Sequence, residues 1–188
     1  MSAAAALPRA ATAPRLAAVT VIGAVVEATL FWRFGWSDAL AAYLVFGVAA
    51  TAVSASDLAC RRVPNRVTAP AFVAGIVLLA VASAHSGQWR PLARAGIATV
   101  ALGAFYLALG LASRGGMGMG DVKWAAVTGL FLGWISWPAV ATATLLVFAG
   151  AALFVVVRHV AAPGRRQSVL AMAPFMAAGA LAAILVVR

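Results

Sequence analysis

At 188 residues the chain has room for one domain of ordinary size, yet 65% of it is apolar, where about 45–50% is usual for soluble chains. Charged residues make up 10% of it and mean hydropathy is +1.03, which excludes an ordinary soluble domain. The net charge of +10 comes from basic residues set in the gaps between apolar runs; this is the juxtamembrane pattern that orients membrane proteins, not the dense stripe of a nucleic-acid surface.

The expected architecture is all-α, a polytopic membrane bundle of about seven transmembrane helices, because apolar runs recur at close to the 20 or so residues a bilayer requires. Residues 1–15, rich in Ala and Pro, are expected to be a disordered tail, and 16–188 a single membrane-embedded domain. Leu16–Trp32 is the first run, and the bulky residues that end it make a retained span rather than a cleaved signal. Glu27 lies inside it and is expected to face the bundle interior. Ala39–Ser56 is the second run and ends at Asp57, followed by a basic loop closed by Pro64, which cannot continue a helix. Val67–Ala84 is the third run and His85–Pro91 a polar turn. Leu92–Ala112 is the fourth, with Arg94 expected to snorkel to the interface. Trp124–Val157 is too long for one comfortable span, and Trp137-Pro138 near its middle divides it into a short fifth helix and a sixth. Val169–Val187, interrupted by Pro174, is the seventh.

The distribution of basic residues tests this count. Seven spans with an inside N-terminus put 10 basic residues on the cytoplasmic side and 4 (Arg33, Arg90, Arg94 and Arg188) on the other; leaving Trp124–Val157 undivided gives 8 against 6. The seven-span arrangement obeys the positive-inside rule better.

Between the fourth and fifth runs lies Gly115-Gly116-Met117-Gly118-Met119-Gly120-Asp121-Val122-Lys123, where four glycines lead into one of only four acids in the chain, Glu27, Asp38, Asp57 and Asp121. An acid beside hydrocarbon is a functional-site hypothesis by default, and glycine permits close approach of another backbone. Asp57 closes the second span and Asp121 opens the fifth, so parity brings both to the same cytoplasmic face. Two close carboxylates share a proton, so one can activate water while the other donates to a carbonyl. The sequence carries no Gly-x-Ser-x-Gly elbow and no His-Glu-x-x-His. Parity places His85 and His159 at opposite faces, so they form no joint metal site, and the one cysteine, Cys60, builds no disulfide or cysteine-pair zinc site. Neither a metal nor a cofactor is expected. The plain alternatives are that Asp57 caps a helix or pairs with Arg61 or Arg62, that Asp121 N-caps the fifth helix, that Lys123 is an inside anchor, and that Asp38 is a solvated cap.

The motifs go further than composition. Gly118-Met119-Gly120-Asp121-Val122-Lys123 resembles the Gly-x-Gly-Asp signature of membrane aspartyl proteases, and more narrowly that of the prepilin peptidase (type IV leader peptidase) family, whose version continues into a lysine. Asp57 with Val63-Pro64-Asn65 is similar to that family's first motif, an acid followed by Ile/Val-Pro-Asn/Asp. Presenilin and signal peptide peptidase fit less well, because they place a tyrosine before the first acid and here Ser56 precedes Asp57. Ala173-Pro174-Phe175 and Glu27 with Arg33-Phe34-Gly35 are further traces of the resemblance.

The resemblance implies an aspartic endopeptidase of the cell inner membrane with Asp57 and Asp121 catalytic. Gly118 and Gly120 would let substrate backbone approach, and Lys123, Pro64 and Asn65 would shape the surrounding loops. Its substrates would be pilin or pseudopilin precursors cut at the cytoplasmic membrane face, and its other partner the lipid bilayer, with no nucleic acid. The longer bacterial members carry a domain with two Cys-x-x-Cys pairs associated with methylation of the new N-terminus, for which this chain has no counterpart, so N-methyltransferase activity is not expected. The competing readings are a small proton- or cation-coupled transporter using Asp57, Asp121 and Glu27, and a non-catalytic pilus or secretion assembly subunit. Oligomeric state has no signature in the sequence.

Overall fold

Among the described residues, seven helices follow one another in the order α1 (Arg9–Phe34), α2 (Leu40–Cys60), α3 (Asn65–Ser86), α4 (Arg90–Ala112), α5 (Met119–Ile135), α6 (Trp137–Ala161) and α7 (Ala173–Val186). The computed structural model describes residues 9–113, 117–161 and 170–187. Residues 1–8 of the expected tail, Arg114 to Gly116, the 162–169 loop with Pro163, Arg165 and Arg166, and Arg188 lie outside the described residues. The first helix begins at Arg9, ahead of the apolar run that starts at Leu16.

Among the described residues, five helices are long and apolar enough to cross a membrane. α5, with 17 residues, and α7, with 14, are shorter. A 14-residue helix reaches about 21 Å, against a hydrocarbon core of about 30 Å. Such helices are stable only when other helices surround them and something closes their ends. α5 is surrounded: Trp124, Ala125, Val127 and the run Thr128–Gly133 are buried. Its Gly129 and Gly133, four residues apart, face Ala98 and Ala95 of α4 so closely that a Cβ on either glycine would meet α4 backbone within 3.0 Å. This small-xxx-small packing is how membrane helices gain dispersion contacts without a hydrophobic driving force. Tyr43 and Phe46 of α2 reach α5 from the other side. The Tyr43 hydroxyl donates to the Phe131 carbonyl at 2.8 Å, and Phe46 packs on the rings of Trp124 and Phe131.

Arginines close the ends of both short helices. Arg94 of α4 donates from Nε to the Gly133 carbonyl at 2.6 Å and from its terminal nitrogen to the carbonyls of Trp134 and Ile135. Arg33 of α1 does the same for α7, donating to Ile184 at 3.0 Å and Val187 at 3.1 Å. The last carbonyls of a helix have no intrahelical partner and carry partial negative charge, so a guanidinium fork satisfies both needs. The Arg94 guanidinium, expected only as an interface charge, is thus also the cap of three α5 carbonyls.

At this same end, Trp32, Trp36, Trp89 and Trp137 stand exposed, as tryptophans do at a membrane–water boundary. Here too the expected assignments of two loop residues change. α3 continues through His85, and Ala39, not Asp38, is the N-cap of α2. Asp38 instead lies 3.6 Å from His85 Nδ1, both exposed. The predicted break at Trp137-Pro138 is present: α5 stops at Ile135, Ser136 is extended, and α6 restarts at Trp137 with Pro138 in its first turn, where a missing N–H costs nothing.

Candidate active site

The seam of Tyr43 and Phe46 against Phe131 and Trp124 sets where the two acids go. From it α2 runs forward to Asp57 and α5 runs back to Asp121, so both lead to the end of the bundle opposite the arginine caps.

Asp57 lies in the last turn of α2, which continues to Cys60, and it is buried at 6% exposure. Arg61 ends the helix in the left-handed region at φ 53, with its N–H on the Asp57 carbonyl at 2.9 Å. The Asp57 side chain turns away from this connection and accepts the Ala173 N–H at 3.0 Å through Oδ2. Among the described residues it pairs with neither Arg61 nor Arg62. Asp57 thus does meet a helix terminus, but the terminus belongs to α7.

Asp121 lies in the first turn of α5, ahead of the apolar run that starts at Trp124 and outside the five long spans. Gly118 is the N-cap, so Asp121 occupies the third helical position, from which an acid reaches back to the N-cap amide. Burial pushes its carboxyl above the ordinary range, the Asp57 charge pushes it further, and the Gly118 amide pulls the other way. Asp57 and Asp121, 64 positions apart in the chain, are thereby within electrostatic reach of one another. Glu27 is elsewhere. Its carboxyl lies against Gly47, ten residues and about 15 Å along α2 from Asp57, so the three acids do not form one cluster.

The connection between α2 and α3 docks onto the start of α5. A Cβ on Gly120 would meet the Val63 Cβ at 2.8 Å. The space that glycine leaves there is filled by Val63, not held open for a substrate backbone as expected from the motif. Gly118 differs: its φ of −75 suits any residue, and the nearest atom to an added Cβ is Asp121 Oδ2 at 3.6 Å. Pro64 is the N-cap of α3, which places Asn65 at the first helical position, and Lys123 Nζ donates to Asn65 Oδ1 at 3.2 Å. Below this exposed bridge an open, mainly apolar groove of about 390 Å³ runs between α3 and α5, lined by Thr68, Ala69, Phe72, Ala126 and Val127.

One large buried polar residue was not singled out in the sequence: Tyr106 of α4, at 1% exposure. Its signal was available, since it is one of only two tyrosines and falls well inside a span rather than at a membrane boundary, where tyrosines gather. Ala173 entered the sequence reading only within the Ala173-Pro174-Phe175 trace; its amide as a donor to Asp57 did not, because a backbone N–H leaves no mark on residue type.

Two acids at one end of the bundle, one buried on a helix-terminal amide and the other with its carboxyl raised by burial and by the first, have the make-up that general acid–base chemistry on water requires. The family model described as the type IV leader peptidase family matches residues 44–157, from α2 to α6. No curated protein and no solved structure matches the chain.

Proposed function

Because the chain belongs to the type IV leader peptidase family, we propose that it is an aspartic endopeptidase that removes leader peptides from prepilin-like precursors at the cytoplasmic membrane face. Asp57 and Asp121 are its catalytic pair. The observation that carries this reading is that the two motif acids lie at one end of the bundle, Asp57 buried in the last turn of α2 and Asp121 in the first turn of α5.

The pair begins with one proton. The ionised carboxylate takes a proton from water as its oxygen attacks the scissile carbonyl carbon, and the neutral carboxyl protonates the carbonyl oxygen. In the gem-diol that results, the newly protonated acid gives its proton to the amide nitrogen and the C–N bond breaks. One diol hydroxyl returns its proton to the other carboxylate, so the pair ends as it began. The groove between α3 and α5 supports a substrate whose apolar segment lies against the bundle beside the acids, with Lys123 and Asn65 at its polar mouth.

The test is cleavage of a prepilin-like precursor by membranes containing wild type, Asp57→Asn or Asp121→Asn. Each substitution is expected to abolish processing while the protein still accumulates. Processing at the wild-type rate by either variant removes the mechanism.

A further inference from the structure

The family match ends at residue 157, yet the closest polar contact made by the Asp57 side chain comes from beyond it, at the first amide of α7. Ala173 is fully buried, and Pro174 follows it as the second helical residue. Proline has no N–H, so the turn that abuts Asp57 has one donor fewer than an ordinary helix start. The Ala173 amide takes Oδ2, and the Pro174 nitrogen cannot compete for the other oxygen.

The depth at which this amide arrives is set along the whole of α7. Arg33 holds the far end through Ile184 and Val187. Midway, Gly179 fits against α6 so tightly that a Cβ there would meet the Val147 side chain at 2.7 Å and the Ala143 carbonyl at 3.0 Å. Sliding α7 by even a fraction of a turn breaks contacts at all three levels. Among the described residues, α7 brings no titratable side chain, the start of α5 carries Asp121 and Lys123, the connection after α2 carries Arg61 and Arg62, α3 starts with Arg66, and α6, packed on α7, carries Arg158 and His159 in its last turn.

We propose that the first turn of α7 is a positioning element of the acid site: the Ala173 amide holds Oδ2 of Asp57, so that the remaining oxygen is the one presented to water and to Asp121. This rests on the peptidase reading above. It makes α7 part of the active centre, with Ala173 acting through Asp57 and not on the substrate.

The direct test removes that single N–H. Ala173→Pro does so genetically at a helix position that accepts proline, although proline disfavours the helical conformation of Met172 before it. A second variant avoids this difficulty: lactic acid in place of Ala173, introduced by nonsense suppression, exchanges the amide for an ester of nearly the same shape. With a prepilin-like substrate, the ester variant is expected to lose about tenfold in kcat with KM little changed, because a carboxylate freed to rotate is misplaced for attack. Loss of a hydrogen bond to the charged form also moves the acid limb of the pH–rate profile up by about one unit. Lower accumulation with an unchanged kcat per molecule and an unchanged acid limb would mean that the contact is only structural, and would overturn the proposal. Wild type that cleaves alongside an ester variant indistinguishable from it defeats this inference alone. Wild type that cleaves no such precursor defeats the peptidase reading and the inference with it.

Discussion

Gly118 and Gly120 contribute equally to the sequence motif but unequally to the structure, and their alanine variants separate the two roles. In Gly120→Ala the new Cβ would lie 2.8 Å from the Val63 Cβ and 3.2 Å from its Cγ2. Carbon atoms in contact prefer about 3.5–4.0 Å, so the start of α5 and the α2–α3 connection must part by about 1 Å. Overpacking of this kind costs about 1–3 kcal/mol, offset by the 0.5–1 kcal/mol or so that alanine gains over glycine in a helix. The net loss of stability is therefore modest, about 0–2 kcal/mol. Catalysis should suffer more, because Asp121 follows Gly120 directly and a misplacement of about 1 Å can cost about 100-fold in rate. Gly118→Ala meets nothing closer than 3.6 Å and needs no unusual backbone. It loses only the capping preference of glycine, about 0.5–1 kcal/mol of stability, and with Asp121 undisplaced it should stay within about fivefold of the wild-type rate, the factor that about 1 kcal/mol would give if it fell wholly on the barrier. The assay is single-turnover cleavage beside thermal unfolding in detergent. Val63→Gly in the Gly120→Ala background removes the clashing Cβ and should recover rate, whereas Val63→Ala leaves that Cβ in place and should not. Equal rates for the two single alanine variants would refute this account of Gly120.

Asp57→Asn keeps an oxygen for the Ala173 amide, whereas Asp57→Ala leaves that buried N–H unpaired, so the alanine variant should be less stable than the asparagine variant by about 1–3 kcal/mol on thermal unfolding in detergent. Arg94→Met strips the cap from three α5 carbonyls and should cost about 2–4 kcal/mol by the same measurement; a loss below about 1 kcal/mol would mean that water or lipid replaces the arginine readily. For pH dependence, the pair must hold one proton. Because burial and Asp57 raise the Asp121 carboxyl, kcat/KM should be bell-shaped, with a basic limb above the ordinary carboxylate range where that proton is lost, and activity rising steadily through neutral pH would contradict this. The same raised value means that the folded state binds the proton more tightly than the unfolded chain, so Asp121 makes stability fall as pH rises through its folded pKa. Asp121→Asn should then be at least as stable as wild type at neutral pH.

Much of the fold was legible because a bilayer imposes coarse and repeated demands. Apolar length gave the helices, Trp137-Pro138 the break between α5 and α6, and parity the common end for Asp57 and Asp121. What escaped were contacts made to backbone atoms of distant segments. Arg33 and Arg94 look like interface charges in the sequence, because nothing in residue type announces which carbonyls of α7 and α5 lack partners. Gly120 resembles an open approach because the sequence does not show Val63 filling it. Asp38 suits a cap on propensity alone, but its loop brings it beside His85. In each case a local rule gave way to a pairing between residues far apart in the chain.

The acids and the arginines are two ends of one arrangement. α5 and α7 both begin at the acid end, with Asp121 in the first turn of one and Asp57 on the first amide of the other. Both finish at the opposite end under a guanidinium. A helix N-terminus favours nearby negative charge by about 0.3–1 kcal/mol, and more when partly buried. Two such termini therefore oppose the mutual repulsion of the carboxylates, while burial first and the Asp57 charge second still raise the Asp121 carboxyl. A pair surrounded only by hydrocarbon would stay fully protonated and could not activate water, while a fully solvated pair would lose the proton it has to share. On the peptidase reading, these two short helices bring their positive ends to the intermediate setting that a one-proton pair needs. Extending α5 or α7 by one turn at its N-terminus would carry the positive end about 5 Å past its acid and should lower the cleavage rate.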